Sequence, residues 1–419
     1  TAEFLKEDLE NPFNEKDVVA LIDAQRETSK RFIEQSSYAV LNRMEWLRRN
    51  RDVNNLSEQG IKIKFSDEEY TEIATALNFD KYINRTKDLF NNNWAFWSEG
   101  TVTLGEIDNT SLASLQEIQT TGITIGVDKK VTDRRMYGFA IRVGLDDVDI
   151  GTSGTNLKTD MFSLSSYATF PFNNKTFIDT NIGISSLKID SRRKHEAGFL
   201  NGNRNGNQIF GSIVYGGEFI KKDLNISPYG RIDLGYTILD EYLESGKISA
   251  LKYNEMKIEN SKSSLGFLIN NSYEINNLKF KPFSRFEYGR GSTDSNDTIV
   301  SYYKAYPNTN YTNKGENKLS DNYRVTIGTD LDIGKNIFYT ASFERNEEID
   351  SGYTNTMNFA GSYLIKPNAE LSFHSNLTNE NTSQFSIQYD QQSKSGWDLN
   401  YNIELQNSFN VNSESNVGI

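Results

Sequence analysis

The sequence predicts an all-β fold, a transmembrane antiparallel up-and-down β-barrel of about 12–16 strands preceded by a helical segment. Three observations predict it. Apolar residues alternate with polar or small ones from about residue 93 to residue 408, in runs longer than the usual globular strand. The connections between those runs alternate short and long. And the chain carries 25 Phe, 22 Tyr and 4 Trp despite a mean hydropathy of −0.62.

The composition narrows the alternatives. The 419 residues include 57 acidic and 45 basic side chains, a formal charge of −12, which argues against a nucleic-acid partner. No stretch approaches the roughly 20 apolar residues of a spanning helix. With no cysteine, disulfides, thiolate nucleophiles and cysteine-held metals are excluded. A low-hydrophobicity disordered chain does not carry 12% aromatics. Thr1-Ala2-Glu3-Phe4 shows neither a charged n-region nor an apolar h-region, so the chain reads as a mature protein or the C-terminal piece of a longer one.

Residues 1–92 form the first region, a helical linker or plug. Between Asp17 and Asp52 there is no Gly or Pro, and Val18, Leu21, Ile22, Phe32, Ile33, Val40, Met44 and Leu47 recur at helical spacing. Gln25, Ser29 and Ser36 interrupt that stripe, so the helix is not built for a dry core. Arg43, Arg48, Arg49 and Arg51 collect near its C-terminal end, where cations suit the helix dipole. A second helix is expected from Ser66, with Glu69 at capping-box spacing, to about Phe90.

The barrel is expected over 93–409, with a short tail at 410–419. Tyr137, Phe139, Ile141, Val143 and Leu145 alternate with Gly138, Ala140, Arg142, Gly144 and Asp146, and the pattern repeats to Leu399, Tyr401, Ile403 and Leu405. Short turns are expected near Asp128–Asp133, Asn173-Asn174, Lys221–Asp223, Asn276-Asn277, Gly334-Lys335 and Pro367-Asn368. Long loops are expected near 105–117, 188–206, 240–256, 291–319 and 346–353, all at one end, as in membrane barrels with long outward loops. Trp94, Trp97, Phe172, Tyr236, Phe283 and Tyr288 fall near strand ends and are expected to form aromatic girdles.

Catalytic chemistry has little to draw on. His195 and His374 are the two histidines, the first in a charged loop and the second in a strand. There is no nucleophile elbow or phosphate loop. Asp146, Asp147 and Asp149, like Asp294, Asn296 and Asp297, lack the spacing of a calcium loop and read as acidic loops. No cofactor or metal is expected. The inward-facing set is more informative: Arg142, Asp179, Arg231, Asp233, Arg285, Glu287 and Glu344 would point into the lumen. Charges in a narrow interior call for water or a polar plug, and the upstream helix bearing Arg43, Met44, Leu47 and Arg48 is the candidate.

Several motifs, taken in order, resemble the autotransporter β-domain. Trp94-Ala-Phe-Trp97-Ser-Glu-Gly100, then 122–128 ending Gly126-Val-Asp128, then Met136-Tyr-Gly-Phe-Ala140, resemble its opening strands. Pro228-Tyr-Gly-Arg231 with Tyr242 and Glu244-Ser-Gly246, and Lys281-Pro-Phe-Ser-Arg285-Phe-Glu287-Tyr288, resemble its later ones. Leu41-Asn-Arg43-Met44-Glu-Trp-Leu47-Arg48 resembles the helix preceding that barrel. The resemblance implies a Gram-negative outer-membrane translocator, a monomer held in outer-membrane lipid. It also implies assembly by the barrel-insertion machinery and a covalently linked N-terminal passenger, an adhesin or other surface protein. No enzyme activity, cofactor or nucleic acid is implied.

Three features depart from that family pattern. Roughly 40 residues, including a strand-like 61–65, separate the Arg-rich helix from Trp94, where the family has a short link. Three alternating runs, 369–377, 383–391 and 397–408, follow the twelfth strand. Phe409, not the last residue, would be the terminal aromatic. Asn54-Asn55 and Asn91–Asn93 raise self-cleavage, against the plainer reading of Asn-rich loops. A porin or uptake channel with a helical periplasmic extension is the alternative function, and a soluble secreted β-protein the third.

Overall fold

Alternation at this length produces strands that pair with both neighbours until the last meets the first. The computed structural model describes residues 10–50 and 94–418, apart from 133, 196–197, 247–248, 276–277, 305–308, 316, 333–336, 364–368, 379–381, 393–397 and 407–410. Beyond Gly361 it describes the backbone alone. The expected second helix, the 61–65 strand and the paired asparagines lie outside the described residues, as does the side chain of Trp94.

Among the described residues one α-helix, α1 (Lys16–Arg49), precedes the barrel. The barrel strands are β1 (Trp94–Ile107), β2 (Gln116–Thr132), β3 (Arg135–Ile150), β4 (Thr155–Pro171), β5 (Thr176–His195) and β6 (Gly198–Gly217). They continue as β7 (Leu224–Leu239), β8 (Met256–Asn270), β9 (Leu278–Ser295), β10 (Lys318–Asp332), β11 (Ile337–Glu348) and β12 (Gly352–Tyr363). Each pairs with its sequence neighbours, and β12 pairs antiparallel with β1, from Trp97 opposite Ser362 to Ile107 opposite Gly352. The ring is therefore a closed 12-stranded antiparallel barrel.

Closure at β12 corrects the expected end of the barrel. The three late runs do form strands, β13 (Ala369–Thr378), β14 (Thr382–Gln392) and β15 (Asp398–Gln406). They join β16 (Val411–Gly418), from the expected tail, in a separate four-stranded sheet. That sheet belongs to a second compact unit. Because β1 and β12 use up each other's edges, no ladder remains for further strands to join.

The connections sort by end. At the turn end β2 gives way to β3 across 133–134, and β4 to β5 across 172–175. At the opposite end lie the long connections 108–115, 240–255 and 296–317. Two expected long loops are not loops. Residues 188–195 and 198–206 are strand, with His195 directly opposite Gly198, and β11 and β12 are joined by 349–351 alone. Asn, Gly and charge suggested loop, yet these residues stand where both strands are wetted on their outer face.

That wetting shows in the side-chain pattern. In the turn-end half, Ile182, Ile184, Ile213, Ile232, Leu234 and Leu265 lie exposed on the outer surface, and such a contiguous apolar belt marks a lipid contact. In the loop-end half the outer face is polar, as in Asn201, Asn203, Asn205 and Asn207 of β6. The inner face there is apolar: Ile118, Val148, Ile150, Leu157, Met161, Leu187, Ile189 and Ile258 form one buried cluster. Short strands in the two longest connections, Tyr242–Leu243, Lys252–Tyr253, Thr298–Ser301 and Asn310–Asn313, form a small sheet whose Tyr242, Tyr253 and Val300 complete that cluster. No helix among the described residues is long and apolar enough to cross a membrane.

Candidate functional site: the occupied lumen

An uninterrupted run of 34 residues without Gly or Pro makes α1 about 51 Å long at 1.5 Å per residue. Strand β5, with 20 residues at about 3.3 Å each and a roughly 40° tilt, rises about as far. The helix therefore runs the full height of the barrel. It is buried on all sides although many of its buried residues are polar, including Gln25, Thr28, Ser29, Ser36, Ser37 and Arg43. Such a helix is stable only where a wall supplies partners for those groups.

The N-terminal end of α1 lies at the loop end. The Asp17 carboxylate accepts hydrogen bonds from Ser114 (2.8 Å), Ser153 (2.6 Å) and Thr155 (2.7 Å), three hydroxyls from the loop-end edge. Glu15 pairs with Arg193 at 2.9 Å, whose guanidinium also grips Glu244 through two hydrogen bonds of 2.8 and 2.7 Å. Tyr253 donates to Glu244, and burial together with that carboxylate pushes its hydroxyl pKa well above the usual value. Between these contacts Val18, Leu21, Ile22, Ala24 and Phe32 insert into the apolar cluster.

Further down, ionic contacts predominate. Arg31 and Thr28 both donate to Asp146, the former at 2.6 Å and the latter at 2.7 Å. Glu34 pairs with Arg324 (3.0 Å) and Lys262 (3.4 Å). The ring of Tyr38 lies between two guanidiniums, Arg324 at 3.8 Å and Arg231 at 4.2 Å from its centroid, and its hydroxyl donates to Glu287 at 2.8 Å. Such sandwiches exploit the negative face of the ring.

At the turn end three arginines of α1 form carboxylate pairs. Arg43 donates Nε (2.7 Å) and Nη2 (3.2 Å) to Asp128. Arg48 holds Asp179 at 2.8 and 2.6 Å and stacks 3.8 Å over Phe177. Arg49 donates to Asp330 at 2.7 and 3.0 Å, joined by Asn50 at 3.2 Å, and packs 4.1 Å over Phe283. Arg43 and Arg49 each use two nitrogens, a bidentate pairing that a planar guanidinium suits as an ammonium cannot, whereas Arg48 reaches both oxygens through Nη1. The wall makes room where the helix comes closest: a Cβ on Gly235 would collide with Ile33, and one on Gly144 would crowd Phe32.

The charges are distributed unevenly around the wall. On β1 to β5 the inner face presents Glu99, Asp128, Asp146 and Asp179 around Arg142. On β7 to β10 Arg231, Lys262, Lys281, Arg285 and Arg324 outnumber Asp233, Glu287 and Asp330. Arg43 and Arg48 of α1 meet the first wall, while Glu34 and Glu45 meet the second, Glu45 through Arg285. The spaces left are small. One gap lined by Arg43, Trp46, Trp97 and Phe283 holds about 30 Å³, room for about one or two waters.

The residues singled out from sequence fall as follows. Arg142 donates to Gln35 of α1 (2.9 Å), Thr101 and Thr124. Arg231 reaches Asp233 and Glu287, both at 2.8 Å. Arg285 donates to Asn42 of α1 at 2.9 Å. Glu344 accepts from Thr326 at 2.9 Å and pairs with Arg324, without contact to α1 in these bonds. On α1, Met44 packs with Trp97, Met136 and Phe177, and Leu47 lines the edge of that cluster.

Of the expected girdle, Phe172 (66% exposed), Tyr288 and Tyr236 lie on the outer surface. Trp97 and Phe283 do not: they are 2% and 6% exposed and point inward, correcting the girdle reading. Trp97 donates its indole N–H to Tyr167 at 2.6 Å. Asp146 is likewise no loop residue; it is an inner-face acceptor, while Asp147 and Asp149 face outward. His195 ends β5 with its Nδ1 3.4 Å from Glu15. The side chain of His374 is outside the described residues. Asp128, Asp330, Lys262 and Arg324 were missed, although each shares its strand's inward parity with a polar residue two positions away.

Among the described residues no group of three His, Asp or Glu side chains could hold a metal ion. What the arrangement can do is grip a helix from end to end.

A family model described as "Autotransporter beta-domain" matches residues 96–344. Among solved structures, the chain is similar to the translocator domain of the autotransporter NalP from Neisseria meningitidis, with 13% identity and a TM-score of 0.52. That match covers 71% of this chain and 98% of the other. It is also similar to the β-domain of the Bordetella autotransporter BrkA, at 15% identity and a TM-score of 0.49, covering 65% of this chain and 100% of the other. The transport unit of AIDA-I from Escherichia coli matches at 10% identity and a TM-score of 0.46, covering 65% and 90%. No curated protein matches the sequence.

Proposed function

The chain belongs to the autotransporter β-domain family, and from that premise we propose that its barrel exports an N-terminal passenger and anchors it at the Gram-negative cell surface. One observation carries this reading: α1 fills the lumen with its N-terminal end at the long loops and its C-terminal end among the short turns. A chain that had passed outward through the pore would be left in this direction. The long loops would then be extracellular and the short turns periplasmic. The passenger would be an adhesin or another surface protein, and the barrel a monomer inserted by the cell's barrel-assembly machinery.

The test is an epitope-tagged reporter fused ahead of residue 10 and expressed in a Gram-negative host. Protease added to intact cells should remove the reporter while the barrel keeps its heat-dependent gel mobility. A reporter protected in intact cells that carry such a barrel would sink the export reading.

The alternative, a porin or uptake channel, predicts an open lumen. In planar bilayers the intact chain should conduct poorly, and deletion of the segment before Trp94 should raise conductance sharply. Equal conductance from both would end the plug role of Arg43, Met44, Leu47 and Arg48, and an intact chain that conducted freely would favour the channel.

A further inference from the structure

The chain is acidic, with a formal charge of −12, yet one rim is basic. Around the turns from β2 to β7 the sequence places Lys129, Arg134, Arg135, Lys175, Lys221 and Lys222. Asp223 is the exposed carboxylate among the described residues of these turns. Among the described residues, Lys129, Arg135, Lys175, Lys221 and Lys222 form no ion pair. Arg134 donates to the carbonyls of Asn173 (2.6 Å) and Thr176 (3.3 Å) and so ties two neighbouring turns together. Lys222 adopts φ 58°, a left-handed backbone that Gly or Asn would hold at less cost. The turn thus keeps a cation where an uncharged residue would suit the backbone better.

The same rim carries exposed apolar groups. Phe172 and Ile220 are each 66% exposed, with Tyr137, Phe170 and Phe219 around them. Lys129 stands directly opposite Tyr137 on the outer face of the β2–β3 pair. Aromatic rings at a strand end sit at headgroup level, and cations at that level meet lipid phosphates.

From this juxtaposition we infer that the turn-end rim between β2 and β7 is a docking surface for anionic phospholipid headgroups in the leaflet at that end. The inference rests on the membrane-spanning reading of the barrel. It is independent of what the barrel exports. Unpaired cations beside lipid-embedded rings are complementary to a phosphodiester held at the edge of a hydrocarbon layer. A soluble acidic partner would not need the rings.

The test uses the whole chain in zwitterionic detergent micelles, reading the temperature at which its compact gel band converts to the unfolded one. Phosphatidylglycerol should raise that temperature; phosphatidylcholine and glycerol phosphate should not. In the combined variant Lys129→Gln, Arg135→Gln, Lys175→Gln, Lys221→Gln and Lys222→Gln, about tenfold more phosphatidylglycerol or greater should be needed for the same shift. Lys252→Gln, Lys257→Gln and Arg290→Gln at the loop end should leave the response unchanged. An undiminished response in the rim variant overturns the inference. So does a shift produced by glycerol phosphate, which would mean a free-phosphate site. A rim variant already destabilised without lipid would show that these cations hold another part of the chain, and overturns it too. A chain with no compact band at all would sink the barrel reading first, a failure visible before any lipid is added.

Discussion

In the turn-end half of β5 the exposed side chains are Ile182 and Ile184 and the buried ones Asp179, Asn181 and Ser185. Beyond Ser186 the buried ones are Leu187 and Ile189, and the exposed ones Lys188 and Asp190. The same exchange occurs on β8, where Leu265 and Phe267 face out in one half while Met256 and Ile258 face in at the other. One half is apolar outside and polar within; the other is polar outside and encloses an apolar cluster beside the buried Arg193–Glu244 pair. The helix follows the division. Its first turns are held by apolar packing, hydroxyl bonds to Asp17 and the pairing of Glu15 with Arg193, and its last chiefly by arginine–carboxylate pairs. The outer solvent decides which face can be apolar, and that decides how the helix is held.

The comparison breaks most readily at a fork. Asp128→Ala leaves the Arg43 guanidinium buried without its carboxylate, and should cost about 4 kcal/mol. Urea unfolding in lipid vesicles would read this, and Arg43→Met combined with Asp128→Leu should recover most of it. Little loss in the single variant would mean that water satisfies the freed guanidinium.

In the loop-end half the largest loss should come from packing. Leu157, 0% exposed in the apolar cluster, should cost about 3 kcal/mol on replacement by Ala, through lost transfer energy and a residual cavity. The salt dependence of stability should not change with it, whereas it should change with Asp128→Ala. Identical salt behaviour in the two variants would erase the proposed difference between the halves.

The smallest effect sharpens the boundary. Ile182→Lys puts an ammonium in the lipid-facing belt and should cost about 2 kcal/mol. Asp190→Lys, eight positions along the same outer row, should change stability by less than about 0.5 kcal/mol. Equal penalties at the two positions would move the membrane boundary beyond Asp190.

Much of this was legible in the sequence. Alternation placed Arg142, Asp179, Arg231 and Glu287 on one face of their strands and predicted a barrel with a helix inside it. Trp97 and Phe283 were misread because aromatics near strand ends were assigned to girdles without regard to parity. Phe283 shares its row with Arg285 and Glu287, and Trp97 with Glu99 and Thr101, so each belongs with the lumen. The stretch 188–206 was read as loop because its outer row is charged or Asn-rich; its inner row, Leu187 and Ile189, continued the strand signal with the faces exchanged. The end of the barrel was not legible. Alternation persists in β13 to β15, and only the ladder between β1 and β12 shows that the ring is already complete.

The two unlike walls of the lumen have a consequence for the pore itself. Carboxylates along β1 to β5 and cations along β7 to β10 set up an electric field across the passage rather than along it. A helix in that field has one favoured rotation about its own axis, because half a turn would carry Arg43 toward Arg285 and Glu45 toward Asp179. With the helix withdrawn, permeating ions would travel in separate lanes, cations beside one wall and anions beside the other. Any polypeptide drawn through would be turned so that its own charges matched.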